Sequence, residues 1–265
     1  MPTLLLIAGV QLFCFLTLSI KWIKKKENPI HYIKKYPLIL LFTVIGILSN
    51  YLFFVYALRL VPEIEASLIN YLWPMFTVFF SALLPDHKLR SYHILGVILG
   101  FTGIVILIWN PELLSINFSL GQAIALLGAV LWAIYSIITR YFKETPSDLV
   151  TITFFINFWI MLFAHLLFEE RWVINQNDLF FVMLLGVTAG IAYYYWDKGM
   201  KIGNIQFIAT AANFTPLFST MFLIGFGVTT YTNNIALATI LILTGTLISS
   251  KETILALIKN YHKYS

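Results

Sequence analysis

The sequence predicts an all-α, multi-pass membrane protein: an inverted five-helix repeat bundle with nine spans present and the first of ten apparently missing. Three observations lead there. Of 265 residues, 60% are hydrophobic and 11% charged, with a mean hydropathy of +0.85, which is more apolar than water can solvate and excludes a soluble protein. Nine apolar runs of about 17 to 25 residues each match the length that crosses ~30 Å of hydrocarbon as a helix. The 17 Lys+Arg and 12 Asp+Glu residues fall in short clusters between those runs. The runs are continuous rather than alternating with a period of two, so a transmembrane barrel does not fit.

In chain order, the first run, 3–20, ends at Lys21 and the second, 37–58, at Arg59. The third, 64–84, carries Pro74 near its middle. The fourth, 92–109, holds Gly96 and Gly100, and the fifth, 119–139, holds Ala125, Ala129 and Ala133. Both are small-residue patterns that let helices approach closely. The sixth, 149–168, is followed by Glu169 and the seventh, 179–196, by Asp197. The eighth, 204–228, carries Pro216, and the ninth, 234–250, stops at Lys251. Cys14, the single cysteine, lies within the first run, so no intrachain disulfide forms and the thiol reads as packing.

Basic residues are retained on the cytoplasmic side. Lys21, Lys24, Lys25, Lys26, Lys34, Lys35, Lys88, Arg90, Arg140, Lys143, Lys198, Lys201, Lys251, Lys259 and Lys263 occupy one set of loops; only Arg59 and Arg171 occupy the other. The C-terminus is therefore expected in the cytoplasm and the N-terminus outside. The net charge of +5 then anchors the chain to anionic lipid, and no basic stripe suggests nucleic acid.

Shifting the chain by 142 residues reveals an internal repeat. Tyr51 falls on Tyr193, Tyr56–Leu60 on Lys198–Ile202, Pro74 on Pro216, and Thr102-Gly103 on Thr244-Gly245. An odd number of helices per repeat inverts the second copy. The division is 1–110, a first repeat of four helices, and 111–265, a second repeat of five helices with a short tail. The partner of the 119–139 helix would precede Met1, so a tenth helix is expected upstream, lost through a late initiation codon or a truncation.

Polar residues inside hydrocarbon are packing glue or pathway. Pro74 and Pro216 occupy matching places in the two repeats. Each is expected to kink its helix and free the carbonyl four residues back, that of Asn70 or of Ala212, near mid-depth. Such interrupted helices point to a transporter's binding site. Around them, Ser67, Asn70, Trp73, Thr77 and Ser81 share a stripe, as do Thr210, Asn213, Leu217 and Thr220. Trp132, Ser136 and Thr139 share another, with Tyr135 alongside. This uncharged, hydrogen-bonding, flat-walled lining suits a small zwitterion with an apolar or aromatic side chain; the hydroxyls read equally as helix glue. Glu65, Asp197 and His165 read as interfacial residues snorkelling to headgroups, or as pathway. Asp86, His87 and His93 read as a solvated turn rather than a metal site. No metal or cofactor is expected.

The strings Asn70-Tyr71-Leu72-Trp73-Pro74, Leu127–Ser136 followed by Thr139-Arg140, and Ala211–Leu217 resemble EamA-type members of the drug/metabolite transporter superfamily, over essentially the whole chain. The resemblance implies ten helices in two inverted repeats, alternating access, and export of amino acids and related metabolites across the bacterial inner membrane. It places Tyr71, Trp73 and Trp132 in a central cavity with Asn50 and Phe54. Together with the stripes, the expected substrate-binding set is Asn50, Phe54, Asn70, Tyr71, Trp73, Trp132, Tyr135 and Asn213, with Pro74 and Pro216 as kinks. The missing first helix departs from the family pattern.

The expected function is export of small metabolites, amino acids with aromatic or apolar side chains foremost, with membrane lipid as the other partner. One alternative is transport of another metabolite class. A nucleotide-like cargo would need Lys or Arg at mid-depth, and none is read there. A second is a lipid-modifying enzyme, which needs an acid–base cluster at one headgroup level. His165 and Asp197 lie on opposite faces, and neither shows an intramembrane acid or base beside it. The scarcity of buried acids favours facilitated export over proton antiport.

Overall fold

The computed structural model describes residues 1–25, 30–85, 88–108, 119–227, 230–252 and 255, and all regular structure among them is helical. The helices are α1 (Thr3–Lys25), α2 (Ile30–Lys35), α3 (Pro37–Leu60), α4 (Glu63–Asn70), α5 (Trp73–Phe80), α6 (Ser91–Ile108), α7 (Leu120–Tyr141), α8 (Asp148–Phe168), α9 (Gln176–Ile202), α10 (Ile205–Ala211), α11 (Phe214–Gly225) and α12 (Asn233–Ser249). A helix or broken helix coincides with each of the nine apolar runs. Seven stretches among the described residues are long and apolar enough to cross a membrane, and two shorter apolar helices, Ser91–Leu107 and Asn233–Ser249, occupy the remaining runs. Large apolar side chains such as Phe163, Phe181 and Phe222 stay more than 60% exposed, as lipid permits and water does not. The chain is an integral membrane protein.

Two compact units form, Met1–Tyr56 with Ile138–Ile202, and Ala57–Ile137 with Gly203–Ser265. Each draws on both sequence halves, so compactness does not follow the division at residue 110.

In the first unit, α1 and α8 run antiparallel, tied at both ends. Glu169, just past α8, accepts the Leu4 amide at 3.0 Å with each oxygen and the Leu5 amide at 3.2 Å, satisfying donors that the first turn of a helix leaves open. At the other end Lys21 reaches both oxygens of Asp148, at 2.8 and 2.9 Å, and the Trp22 indole donates to the same carboxylate at 2.9 Å. Between them the Phe15 and Phe155 rings meet at 4.9 Å. Against α1, the glycines of α9 allow close approach: a Cβ on Gly190 would lie 2.9 Å from the Cys14 Cα. The Cys14 thiol, fully buried, donates to the Gly186 carbonyl at 3.1 Å.

The seventh run extends further than the sequence predicts, to Ile202, for an electrostatic reason. Asp197 and Lys201, 3% and 5% exposed, form an i,i+4 ion pair at 2.7 Å, and Arg140 donates to the carbonyls of Met200 and Lys201 at 3.2 and 2.6 Å. The pair and the donor satisfy a helix end that would otherwise fray. Lys201, expected in a cytoplasmic loop, is thus interior.

In the second unit α6 and α12 cross tightly, because a Cβ on Gly96 would meet the Gly245 carbonyl oxygen at 2.5 Å and one on Gly103 the Ala238 carbonyl oxygen at 2.9 Å. At the start of α7, Ser119 and Gln122 form a capping box: the Ser119 amide donates to Gln122 Oε1 at 2.9 Å, and the Gln122 amide to Ser119 Oγ at 3.3 Å. Gln122 Nε2 also donates to Glu65 Oε2 at 2.8 Å. Glu65 is 2% exposed, so it is a buried, hydrogen-bonded carboxylate and does not snorkel.

Candidate functional site

The third and eighth runs are each broken rather than bent. The α4 helix ends at Asn70, Tyr71 and Leu72 form a turn, and Trp73 and Pro74 open α5. The α10 helix ends at Ala211, Ala212 and Asn213 form a turn, and Phe214 opens α11 with Pro216 at its third position. A proline is tolerated in a helix's first turn, where its missing N–H has no partner to lose, so each sequence restarts its helix instead of bending it. The breaks lie in one unit and share one apolar core: Leu68 of α4 and Leu217 of α11 belong to it with Ile104, Ile235 and Ile242, and Tyr71 and Phe214, one from each break, pack against it.

The polar backbone at the breaks is largely reclaimed by tighter turns. The Tyr71 amide donates to the Ser67 carbonyl at 2.9 Å and the Leu72 amide to that of Ile69 at 3.1 Å. In the second break the Asn213 amide donates to the Thr210 carbonyl at 3.1 Å. The Ala212 carbonyl, expected free, accepts the Thr215 amide at 3.0 Å. The predicted hydroxyl lining also turns inward. Thr77 donates to the Trp73 carbonyl at 2.8 Å, Ser81 to that of Val78 at 2.7 Å and Thr220 to that of Pro216 at 2.9 Å. Thr210 bonds both the Gln206 carbonyl and the Ser249 hydroxyl. Thr77, Ser81 and Thr220 thus bond back onto their own chain turn, and of these contacts only Thr210–Ser249 ties one helix to another.

What remains at the first break is aromatic. Trp73 meets Trp132 edge-on, with ring centroids at 6.3 Å and planes at 86°, and Trp132 meets Tyr135 at 5.2 Å. Trp73 is half-buried, while Trp132 and Tyr135 are 7% and 2% exposed. At the second break Asn213 is 1% exposed, and its Nδ2, without a hydrogen-bond partner, sits on the bare α-carbon of Gly100, occupying the space a Cβ would need. Asn70 ends α4 half-buried. In this unit the structure gathers Trp73, Trp132 and Tyr135 by ring contact and places Asn70, Tyr71 and Asn213 at the two breaks.

Asn50 and Phe54 belong to the first unit. Asn50 Oδ1 accepts the Tyr193 hydroxyl at 2.7 Å, and Tyr193 stacks on Tyr51 at 5.4 Å with planes 15° apart. Phe54 is half-buried. Nothing in the sequence pairs Asn50 with Tyr193, although the repeat aligns Tyr193 with Tyr51.

Two charged groups expected to stand alone have partners. His165 Nδ1 lies 2.9 Å from Glu169 Oε2, and Asp197 holds Lys201. The His165–Glu169 pair closes the end of α1 and is committed to that cap. His93 is 3% exposed, and its Nδ1 accepts the Arg90 amide at 3.2 Å; Asp86 and His87 lie outside the described residues. Sequence reasoning passed over Gln11, Thr153 and Asn157, each fully buried. Their signal was present as amides and a hydroxyl inside apolar runs.

Residues 2–109 and 119–251 match the EamA-like transporter family. The chain is 33% identical over 214 residues to the aromatic amino acid exporter YddG of Ancylobacter novellus, covering 77% of this chain and 73% of that protein. It is 25% identical to the exporter of the same name from Salmonella typhimurium, over 62% of this chain and 59% of that protein. For the one from Escherichia coli the identity is 23%, over 59% and 56%. A solved crystal structure superposes with a TM-score of 0.86 at 28% identity, covering 94% of this chain and 87% of that one.

Proposed function

The chain belongs to the EamA-like transporter family, and from that premise we propose that it exports amino acids with aromatic or apolar side chains from the bacterial cytoplasm across the inner membrane. The observation that carries this reading is the edge-on Trp73–Trp132 contact with Tyr135 beside it, at a helix break. Aromatic faces and edges favour ring-bearing and apolar side chains. The 33% identity to an aromatic amino acid exporter supports the same cargo class.

Transport proceeds by alternating access between inverted repeats at 1–110 and 111–265, with the C-terminus cytoplasmic as the basic loops require. On this reading Asn70, Tyr71, Trp73, Trp132, Tyr135 and Asn213 are the substrate-contacting residues of the second unit and Asn50 and Phe54 those of the first, and the breaks ahead of Pro74 and Pro216 are where the helices flex. Buried Glu65 and Asp197 weaken the expectation, drawn from few buried acids, that export is purely facilitated.

The test is efflux from cells. Bacteria that lack their own aromatic exporters, loaded with phenylalanine-containing dipeptides and expressing this chain, should release phenylalanine and tryptophan faster than vector controls. Cells expressing equal amounts of membrane-inserted protein that release neither of these, nor leucine or methionine, would contradict the reading.

A further inference from the structure

Gln11 sits near the middle of α1 with zero exposure, and neither Oε1 nor Nε2 has a hydrogen-bond partner. On α8, Thr153 and Asn157 are also fully buried, and Thr153 Oγ1 and Asn157 Oδ1 are likewise unmatched. Asn157 Nδ2 donates to the Val44 carbonyl at 3.5 Å, which fixes which end of that amide stays free.

The antiparallel register brings these residues to neighbouring levels. Leu4 lies at Glu169, Phe15 at Phe155 and Lys21 at Asp148. Ile7 and Ala8 share an apolar cluster with Met161. One turn along from that cluster, in the same direction on both helices, come Gln11 on α1 and Asn157 on α8, with Thr153 a further turn on.

Buried polar atoms inside a membrane span are costly when unmatched, and those retained there mark binding or transport steps. This group offers the two N–H donors of the Gln11 amide, the Thr153 hydroxyl, which can donate or accept, and the amide oxygens of Gln11 and Asn157 as acceptors, with no formal charge. A bare cation would enter without a counter-charge, at a prohibitive desolvation cost. An amino-acid backbone carries both charges: its ammonium can donate to Gln11 Oε1, Asn157 Oδ1 and Thr153 Oγ1, and its carboxylate can accept from Gln11 Nε2. Tyr51, packed against the same Ile7–Ala8–Met161 cluster and stacked on Tyr193, supplies a flat apolar surface close by.

We propose that Gln11, Thr153 and Asn157 form a subsite for the zwitterionic backbone of the transported amino acid. The inference rests on the export reading and adds to it a site on α1 and α8, where no substrate-binding residue was expected.

The experiment is counterflow in proteoliposomes of the full chain, with phenylalanine, phenethylamine, which lacks the carboxylate, and 3-phenylpropionate, which lacks the ammonium. Wild-type protein should favour phenylalanine. Gln11→Leu should lower phenylalanine counterflow at least tenfold while elution and helical circular dichroism are unchanged. Gln11→Glu, which keeps size and acceptors but loses the donor, should shift preference toward phenethylamine by a similar factor. Should Gln11→Leu fail to fold, Gln11→Glu and Thr153→Val carry the test.

Wild-type counterflow rates in Gln11→Leu, or equal losses for all three compounds, would overturn the subsite. A drop in melting temperature with transport intact would overturn it too, marking a buried structural water. Wild-type vesicles that move no amino acid would instead remove the export reading itself.

Discussion

Glu169 holds the first turn of α1, accepting the Leu4 amide with both carboxylate oxygens at 3.0 Å. The contact joins residues 165 positions apart, and it explains why a carboxylate and an imidazole stand together at the end of α8. Burial works against ionisation of Glu169, but the amides of Leu4 and Leu5 and the His165 ring outweigh it and hold its pKa below the usual carboxylate value.

Glu169→Gln keeps the shape and removes the charge. It should cost about 0.5–2 kcal/mol, the range for loss of a helix N-cap. The sign with pH follows from the depressed folded-state pKa. The Glu169 contribution is complete above the unfolded value of about 4.3 and disappears as pH falls through the lower folded value. Melting curves of the purified protein between pH 3 and pH 7 should converge for wild type and Glu169→Gln at the acid end. A constant gap across that range would contradict the assignment.

Asp197→Asn should be far more damaging. It leaves Lys201, 5% exposed, without its carboxylate, and breaking a buried pair from one side costs about 3–5 kcal/mol. Replacing both partners with apolar residues, Asp197→Leu with Lys201→Met, should recover much of that loss. Melting temperatures of the two single variants and the double variant give the coupling; a double variant as unstable as the sum of the singles would show that the residues do not act as a pair.

Gly96→Ala forces a methyl group against the Gly245 carbonyl and the Ser249 backbone, so α6 and α12 must separate. The expected loss is about 1–3 kcal/mol. Gly225→Ala is the control, because nothing lies within 4 Å of its Cβ position, and it should change stability by less than about 0.5 kcal/mol. Equal effects of the two would contradict the tight crossing.

Trp73→Ala removes one ring of the Trp73–Trp132 contact. Phenylalanine counterflow should fall at least about tenfold, or 1.4 kcal/mol, with the protein still folded. Trp73→Phe should restore most of it; restoration of transport by leucine at this position would point to volume rather than an aromatic edge.

How much was legible follows from the range of each interaction. The nine runs were plain because hydropathy is local, and Pro74 and Pro216 marked the interrupted runs. The breaks themselves lie two to four residues earlier, at Tyr71-Leu72 and Ala212-Asn213, because a proline prefers to begin a helix. The Asp197–Lys201 pair was obscured where an apolar run appeared to end. Asn50 with Tyr193 and Glu169 with Leu4 were not legible, since each bond joins helices distant in sequence; nor was the common level of Gln11 and Asn157, which only the antiparallel packing of α1 and α8 sets.

The most direct measurement is counterflow of radiolabelled phenylalanine into proteoliposomes preloaded with unlabelled amino acid, with and without a pH gradient. Transient accumulation that unlabelled tryptophan and leucine compete away, and lysine and glutamate do not, is the predicted result. No accumulation of any aromatic or apolar amino acid by folded, reconstituted protein would contradict amino-acid export.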